Sequence, residues 1–203
     1  GGKLLAVNNP YTLVNNQTAP TSGGSVNISG AVMYAGCLNN GSCDSGSAIS
    51  IFDNASIHSY GAVSINGNGA PAGINSSYGS NFGINIWSTT TTIRSYNSSV
   101  TLVGYAAGFK TSTNFSNDSI SSGVFIYSDA NLIRAKTNVN ITGIDMTGIG
   151  IYLASFSAGS NGVIADTGSV NFQSINNTSN WYSTYVRQSV TATAAQVNIS
   201  AAG

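Results

Sequence analysis

One short motif recurs along the chain, and its spacing limits the folds that the sequence can adopt. The motif is a valine, a polar residue and a second apolar residue, and four of the six copies have a glycine two residues further on. Its copies begin at Val26, Val63, Val100, Val139, Val170 and Val197. The steps between them are 37, 37, 39, 31 and 27 residues, a period that is typical of solenoid and other repeat architectures.

Two further motifs come before most copies of the first. One has the pattern small residue, Ile or Val, any residue, Ile or Leu, and it occupies residues 48–52, 83–87, 123–127 and 150–153. The other is shorter and occupies residues 56–58, 92–94 and 132–134. In all three motifs apolar and polar residues alternate, which is typical of β-strands with one buried face. Each repeat unit therefore contains three short strands in a fixed order.

Three short strands, joined by turns and repeated in order, predict an all-β fold. We expect a right-handed parallel β-helix in which each rung buries its Val and Ile residues against the rungs above and below. Residues 25–200 form this single elongated region, and residues 1–24 are a cap or a preceding rung. An antiparallel β-sandwich is the competing architecture, although hairpin signals are few. The polar segments after the Val motifs are loop excursions or additional weaker rungs, and both alternatives stay open.

Charged residues are scarce, at 6% of the chain, and the net charge is zero. Such a chain has no electrostatic field to recruit nucleic acid or an anionic membrane. No apolar stretch is long enough to span a bilayer, so membrane insertion is not expected. Cys37 and Cys43 enclose five turn-forming residues, and we interpret them as a local disulfide typical of an extracytoplasmic protein, with two free thiols as the alternative. No motif indicates a cofactor or a metal site.

The three motifs together resemble the repeats of filamentous-haemagglutinin-like proteins, which include the high-molecular-weight adhesins exported by two-partner secretion. The similarity spans roughly residues 25–200. The resemblance implies a right-handed β-helix, a secreted or bacterial cell-surface location, and a role in adhesion or filament formation.

Some parallel β-helices are polysaccharide lyases or hydrolases, which need clustered carboxylates or basic groups. The acids of this chain are Asp44, Asp53, Asp118, Asp129, Asp145 and Asp166, and they occupy different points of the repeat. The single histidine, His58, has no evident Ser or Cys partner in the sequence. We therefore do not expect an enzyme and assign no catalytic residue.

Two columns of outward-facing residues are the candidate ligand-binding site. Because the alternation turns the flanking Ile and Val residues inward, Phe52, Trp87 and Tyr127 face outward and form an aromatic column if the units stack in register. His58, Arg94 and Arg134 form a neighbouring cationic column in the same way. Aromatic faces bind sugar rings, and Arg binds sulfate or carboxylate through paired hydrogen bonds, so the two columns together predict an anionic glycan site. The alternative is that the aromatic residues only stack on one another and the cationic residues only solubilise the strand.

Asparagine is abundant, and the chain contains twelve Asn-x-Ser/Thr sequons. The sequons indicate a glycosylated surface, with Asn27, Asn54, Asn97 and Asn140 as candidate acceptors. The alternative is that outward Asn residues form ladders of side-chain amides that hold the rungs together.

The leading functional hypothesis is the shaft or binding segment of a bacterial adhesin that attaches to a host or neighbouring-cell receptor, with glycans as candidate ligands. A second hypothesis is a subunit of an extracellular filament that joins copies of itself end to end, for which residues 3–7 offer an alternating strand. A polysaccharide-active enzyme is the third hypothesis.

Overall fold

The structure, a computed structural model, describes residues 23–31, 46–52, 55–69, 81–106, 121–145, 148–154, 162–176, 183–186, 189–193 and 195–202. Across these residues the chain forms fourteen β-strands and no helix, and every strand pairing is parallel. The all-β prediction is therefore confirmed for this part of the chain. It also follows that none of these residues belongs to a helix that is long and apolar enough to cross a membrane.

The strands lie in three columns, and the third column contains every copy of the Val motif. Its strands are β1 (Val26–Ala31), β4 (Val63–Asn68), β6 (Val100–Ala106), β8 (Val139–Asp145), β11 (Val170–Asn176) and β14 (Val197–Ala202). They pair in this order into a six-stranded sheet. The registry joins each motif valine to the next, so that Val63 lies opposite Val26 and Val100 opposite Val63.

The first and second columns share an eight-stranded sheet. Its strands are β2 (Gly46–Phe52), β3 (Ser56–Ser59), β5 (Asn81–Ser95), β7 (Ser122–Ala135), β9 (Ile149–Ala154), β10 (Gly162–Ala165), β12 (Thr184–Val186) and β13 (Ser189–Ala192). The first column contains β2, the first halves of β5 and β7, then β9 and β12. The second contains β3, the second halves of β5 and β7, then β10 and β13.

The strands β5 and β7 run through both columns without a break, whereas the sequence predicts two short strands in each case. The spacing from Trp87 to Ile93 equals the spacing from Tyr127 to Ile133, so the two strands stay paired across the junction. The corresponding spacing from Phe52 is one residue shorter, which separates β2 from β3. A strand therefore continues from the first column into the second only where the number of residues between the two columns is the same as in the strand it pairs with.

The core lies between the columns and contains the inward-facing members of each motif. Ile84, Val124 and Ile151 are aligned by register in the first column, and each is fully buried. Ile65 and Leu102 hold the equivalent place in the third column and are also fully buried. Burial of an aliphatic side chain of this size contributes about 1.5–3 kcal/mol, which no single rung can obtain alone.

Glycines mark the line along which the third column meets the first. A Cβ atom on Gly67 would collide with the carbonyl oxygen of Gly83, and Gly143 stands in the same relation to Gly150. The backbones approach so closely there that a side chain has no room. The glycine that ends the Val motif in β1, β4, β6 and β8 is therefore a packing requirement between columns.

Adjacent rungs pair directly, which bears on whether the polar segments after the Val motifs form additional rungs between them. β5 pairs with β7 and β6 pairs with β8, so no additional rung lies between these coils. At the C-terminal end, β12, β13 and β14 extend all three columns by one further rung.

Candidate functional site

The first column carries the aromatic residues on its outward side. The register places Phe52 opposite Trp87, and Trp87 opposite Tyr127. Trp87 is 53% exposed and Phe52 is 37% exposed, although the inward residues beside them are buried. Ala154 occupies the next position and ends the aromatic column.

A second outward line of rings supports Trp87 and Tyr127. It consists of Phe125, Tyr152 and Tyr185, which are aligned on successive rungs. The ring centroids of Phe125 and Tyr152 lie 5.0 Å apart, those of Tyr152 and Tyr185 lie 4.9 Å apart, and both pairs are stacked. The Trp87 ring meets the Tyr127 ring edge-on at 5.6 Å. Stacking of this kind contributes about 0.5–1.5 kcal/mol per pair, so it also holds the exposed rings in place.

The cationic residues lie in the second column and are also aligned by register. His58 lies opposite Arg94, and Arg94 lies opposite Arg134. Arg94 follows Trp87 by seven positions in β5, so at about 3.3 Å per residue the backbone path between them is roughly 23 Å. The structure therefore forms both columns, and it places them on neighbouring parts of the eight-stranded sheet.

Tyr96 organises the first two members of the cationic column. The Arg94 guanidinium carbon lies 4.3 Å from the centre of the Tyr96 ring, in a cation–π arrangement. The Tyr96 hydroxyl lies 3.3 Å from Nδ1 of His58, and the two rings meet edge-on. Burial, followed by the positive charge of Arg94, holds the pKa of His58 below its usual value. The histidine is therefore neutral at physiological pH and adds no charge to the column.

The third member of the cationic column is neutralised by an ion pair. Nε of Arg134 donates a hydrogen bond of 2.9 Å to Oδ1 of Asp166, and both side chains are partly exposed. Within the described residues, Arg94 has no such carboxylate partner. Arg94 is consequently the cation of this column that is available to an anion.

Four residues that sequence reasoning did not single out shape the site: Phe125, Tyr152, Tyr96 and Asp166. Phe125 and Tyr152 occupy the position of the 123–127 and 150–153 motifs that can be any residue, so their alignment follows once the register is known. Tyr96 and Asp166 lie in the turns that follow the second column, where strand periodicity gives no signal.

The predicted glycosylation sites have different surroundings. Asn27 in β1 and Asn97 in the turn after β5 are exposed, and Asn140 is half-buried in β8. Asn54 lies outside the described residues, as do Cys37 and Cys43. Glycosylation and the disulfide therefore remain predictions.

Asparagines of the third column form a ladder of side-chain amides. Nδ2 of Asn171 donates to Oδ1 of Asn140 at 2.8 Å, and Nδ2 of Asn198 donates to Oδ1 of Asn171 at 2.7 Å. The ladder that the sequence offered as an alternative to glycosylation is thus present on three successive rungs. Each bond joins two rungs on the outward side of the sheet.

Of the six acids, the structure describes the side chains of Asp145 and Asp166. Asp145 is fully buried at the end of β8, where its Oδ1 accepts a hydrogen bond of 2.9 Å from the backbone N–H of Gly148. Asp166 pairs with Arg134 at the end of the second column. Within the described residues no group of three His, Cys, Asp or Glu side chains is placed to hold a metal ion.

Comparison with known proteins identifies no family model that matches this chain, no similar curated protein and no similar solved structure.

Proposed function

We propose that this chain is a segment of the shaft of a secreted bacterial adhesin and that it binds glycans through its aromatic column. In this proposal the three columns wind into a right-handed parallel β-helix, and the repeats belong with those of filamentous-haemagglutinin-like exoproteins. The chain acts at the cell surface as a binding module, without catalysis and without a cofactor.

The observation that carries the proposal is the exposure of Trp87 within an aligned aromatic column. A tryptophan with half of its surface in water loses hydrophobic stabilisation that an inward position would supply, and exposed aromatic clusters mark binding sites. Phe52 and Tyr127 lie on the neighbouring rungs, at a separation of about 4.8 Å per rung. The column offers a rigid apolar strip to the faces of consecutive sugar rings.

The charges favour a neutral or weakly charged glycan over a strongly anionic one. Arg134 is paired with Asp166, and His58 is uncharged, so the cationic column retains Arg94 alone. Arg94 also lies in the second column, seven positions along β5 from Trp87. A sulfated or sialylated chain would need several sugar units to contact both.

The second outward line of rings can have a structural role without conflicting with this proposal. Phe125 is almost completely buried and stacks on Tyr152, so we assign these two rings to the stability of the stack. Trp87 meets the Tyr127 ring edge-on and the Phe125 ring at a tilt, and it keeps about half of its surface exposed.

The test is a glycan-array screen of the folded chain that includes neutral, sulfated and sialylated sugars. We expect binding to a neutral glycan that falls at least tenfold in Trp87→Ala. It should be unchanged in Tyr105→Ala, which removes an outward aromatic from the third column. Arg94→Ala distinguishes a ligand that contacts only the aromatic column from one that also contacts the cationic column, because only an anionic ligand would lose affinity. Absence of binding by a folded sample, or unchanged binding in Trp87→Ala, would contradict the proposal.

A further inference from the structure

The three rings of the aromatic column follow one another from rung to rung. Phe52, Trp87 and Tyr127 are register partners, and β5 and β7 keep the same register on both sides of Trp87. Rungs are about 4.8 Å apart, and the centroids of the Trp87 and Tyr127 rings lie 5.6 Å apart. The column therefore offers one ring per rung, in a line that crosses the strands.

The strands themselves offer no second ring face beside Trp87. The outward position two residues before Trp87 is Asn85, and its register partners are Ser50 and Phe125. Asn85 and Ser50 have no ring, and Phe125 is only 3% exposed. Residues 88–92, which follow Trp87, include no aromatic residue. A ligand with several rings can consequently use the column only by lying along the direction in which the rungs stack.

The backbone beneath the three rings is anchored in the core. Ile51, Ile86 and Ile126 directly precede the three aromatic residues, and they are 7%, 1% and 0% exposed. Because this backbone is already ordered, binding immobilises few additional groups and costs little conformational entropy. A strip that is formed in advance favours a ligand whose own rings are already arranged at the same interval.

Unbranched β-1,4-linked glycans have this arrangement of rings. Pyranose rings with equatorial substituents carry axial C–H groups on both flat faces, and these faces stack on aromatic rings. The β-1,4 linkage keeps the chain extended, so consecutive sugars present a face at regular intervals close to the spacing of the rungs. An α-1,4 linkage curves the chain, and consecutive sugars then leave the line of the aromatic rings.

We propose that the aromatic column binds a neutral, unbranched β-1,4-linked glycan of glucose or N-acetylglucosamine that lies along the stacking direction, with one sugar over each of Phe52, Trp87 and Tyr127. This inference rests on the proposed glycan-binding function and adds the linkage, the orientation and the number of sugars. Trp87 contacts the central sugar, because it is the most exposed of the three rings and lies between the other two. Arg94 lies in the second column, and the ligand needs no charge.

Titration of the folded chain with defined oligosaccharides, followed by NMR, tests the linkage and the length. The probes are cellotriose and chitotriose, with maltotriose as the α-linked control and glucose and N-acetylglucosamine as the single units. We expect cellotriose or chitotriose to bind at least tenfold more tightly than maltotriose and than its own monosaccharide, because only an extended trimer reaches all three rings. Equal affinity for the β-linked and α-linked trimers, or for a trimer and its monosaccharide, would overturn the inference.

Substitutions on the two outer rungs test the orientation. Phe52→Ala should weaken trimer binding at least threefold and leave monosaccharide binding unchanged, since a single sugar occupies Trp87. Tyr127→Ala should have the same effect, whereas Tyr127→Phe keeps the ring and should bind like the unsubstituted chain. Tyr105→Ala in the third column is the control for loss of an outward aromatic residue, and circular dichroism checks that every variant is folded.

The outcomes separate this inference from the proposed function. Trimer binding that is lost in Trp87→Ala but unchanged in both Phe52→Ala and Tyr127→Ala would overturn the inference and leave a glycan site at Trp87. A Trp87-dependent ligand on the array that is not a β-1,4-linked glycan would do the same. If no glycan binds the folded chain, the proposed function and the inference both fall.

Discussion

The α-carbon of Gly104 lies against the carbonyl group of Gly123, so that a Cβ atom on Gly104 would overlap the carbonyl oxygen. The contact joins the third column to the first across one edge of the core. The same relation recurs between Gly67 and Gly83, which shows that it belongs to the repeat.

Gly104→Ala should lower the free energy of unfolding by at least about 1–3 kcal/mol. The added methyl group meets backbone, which cannot move aside as a side chain can, so the two columns must separate locally. Urea denaturation followed by circular dichroism measures the effect. Thr101→Ala on the same strand, with its side chain on the outward face, is the control and should cost less than about 1 kcal/mol. Equal losses in the two variants would contradict the packing role of the glycine.

Equivalent residues of the third column should differ in their contribution to stability according to their rung. Ile141→Ala creates a cavity in the fully buried core and should cost about 2–5 kcal/mol. Ile199→Ala removes a side chain that is mostly in water and should cost less than about 1 kcal/mol. Urea denaturation of both variants under the same conditions makes the comparison. Similar losses would contradict the difference in burial between the two residues.

The asparagine ladder should contribute measurably to stability. Asn171→Ala removes the donor to Asn140 and the acceptor for Asn198, and at about 0.5–1.5 kcal/mol for each bond the loss should be about 1–3 kcal/mol. Asn27→Ala is the matched control, because Asn27 is exposed on the same outward line of the column and lies opposite Ser64. Thermal unfolding of dilute samples compares the two variants. A loss no larger than the control would indicate that water replaces the ladder at no cost.

His58 should make the stability depend on pH between the unfolded-state pKa of about 6.5 and its lower folded-state pKa. The unfolded chain binds the proton more readily, so the free energy of unfolding decreases as pH falls through this window and is independent of His58 above it. His58→Gln should remove this part of the dependence. Because the chain has a single histidine, an NMR titration of its ring follows the group directly. A midpoint at or above 6.5 would contradict the effects of burial and Arg94.

The register of the site was predictable in its main features from the sequence. The repeated motifs align Phe52, Trp87 and Tyr127 because each is the residue after an inward aliphatic position, and alternation in a strand fixes the direction of the next side chain. The function of this column, in contrast, is still a proposal, because alignment gives geometry and not a ligand.

The relation between the two columns was not predictable in the same way. The sequence analysis placed the aromatic and cationic columns on neighbouring short strands, but it did not predict that Trp87 and Arg94 lie on one continuous strand, β5. The neutralisation of Arg134 by Asp166 was also missed, since these residues are distant in sequence and meet only when β7 pairs with β10. Contacts between residues of different rungs depend on the lengths of the connecting segments, which carry no periodic signal.

The sequence by itself determined most of the strands, the residues of its motifs that face the core and the order in which the motifs stack, because a period of two within a strand and a repeated unit along the chain are local properties. Only the tertiary structure decided which neighbours occupy the outward side chains: the stacked rings beside Trp87, the tyrosine between His58 and Arg94, and the amide ladder from Asn140 to Asn198. The physical reason is that burial favours one face of every strand in the same way, whereas the outward contacts arise from pairwise distances that exist only after the rungs have stacked.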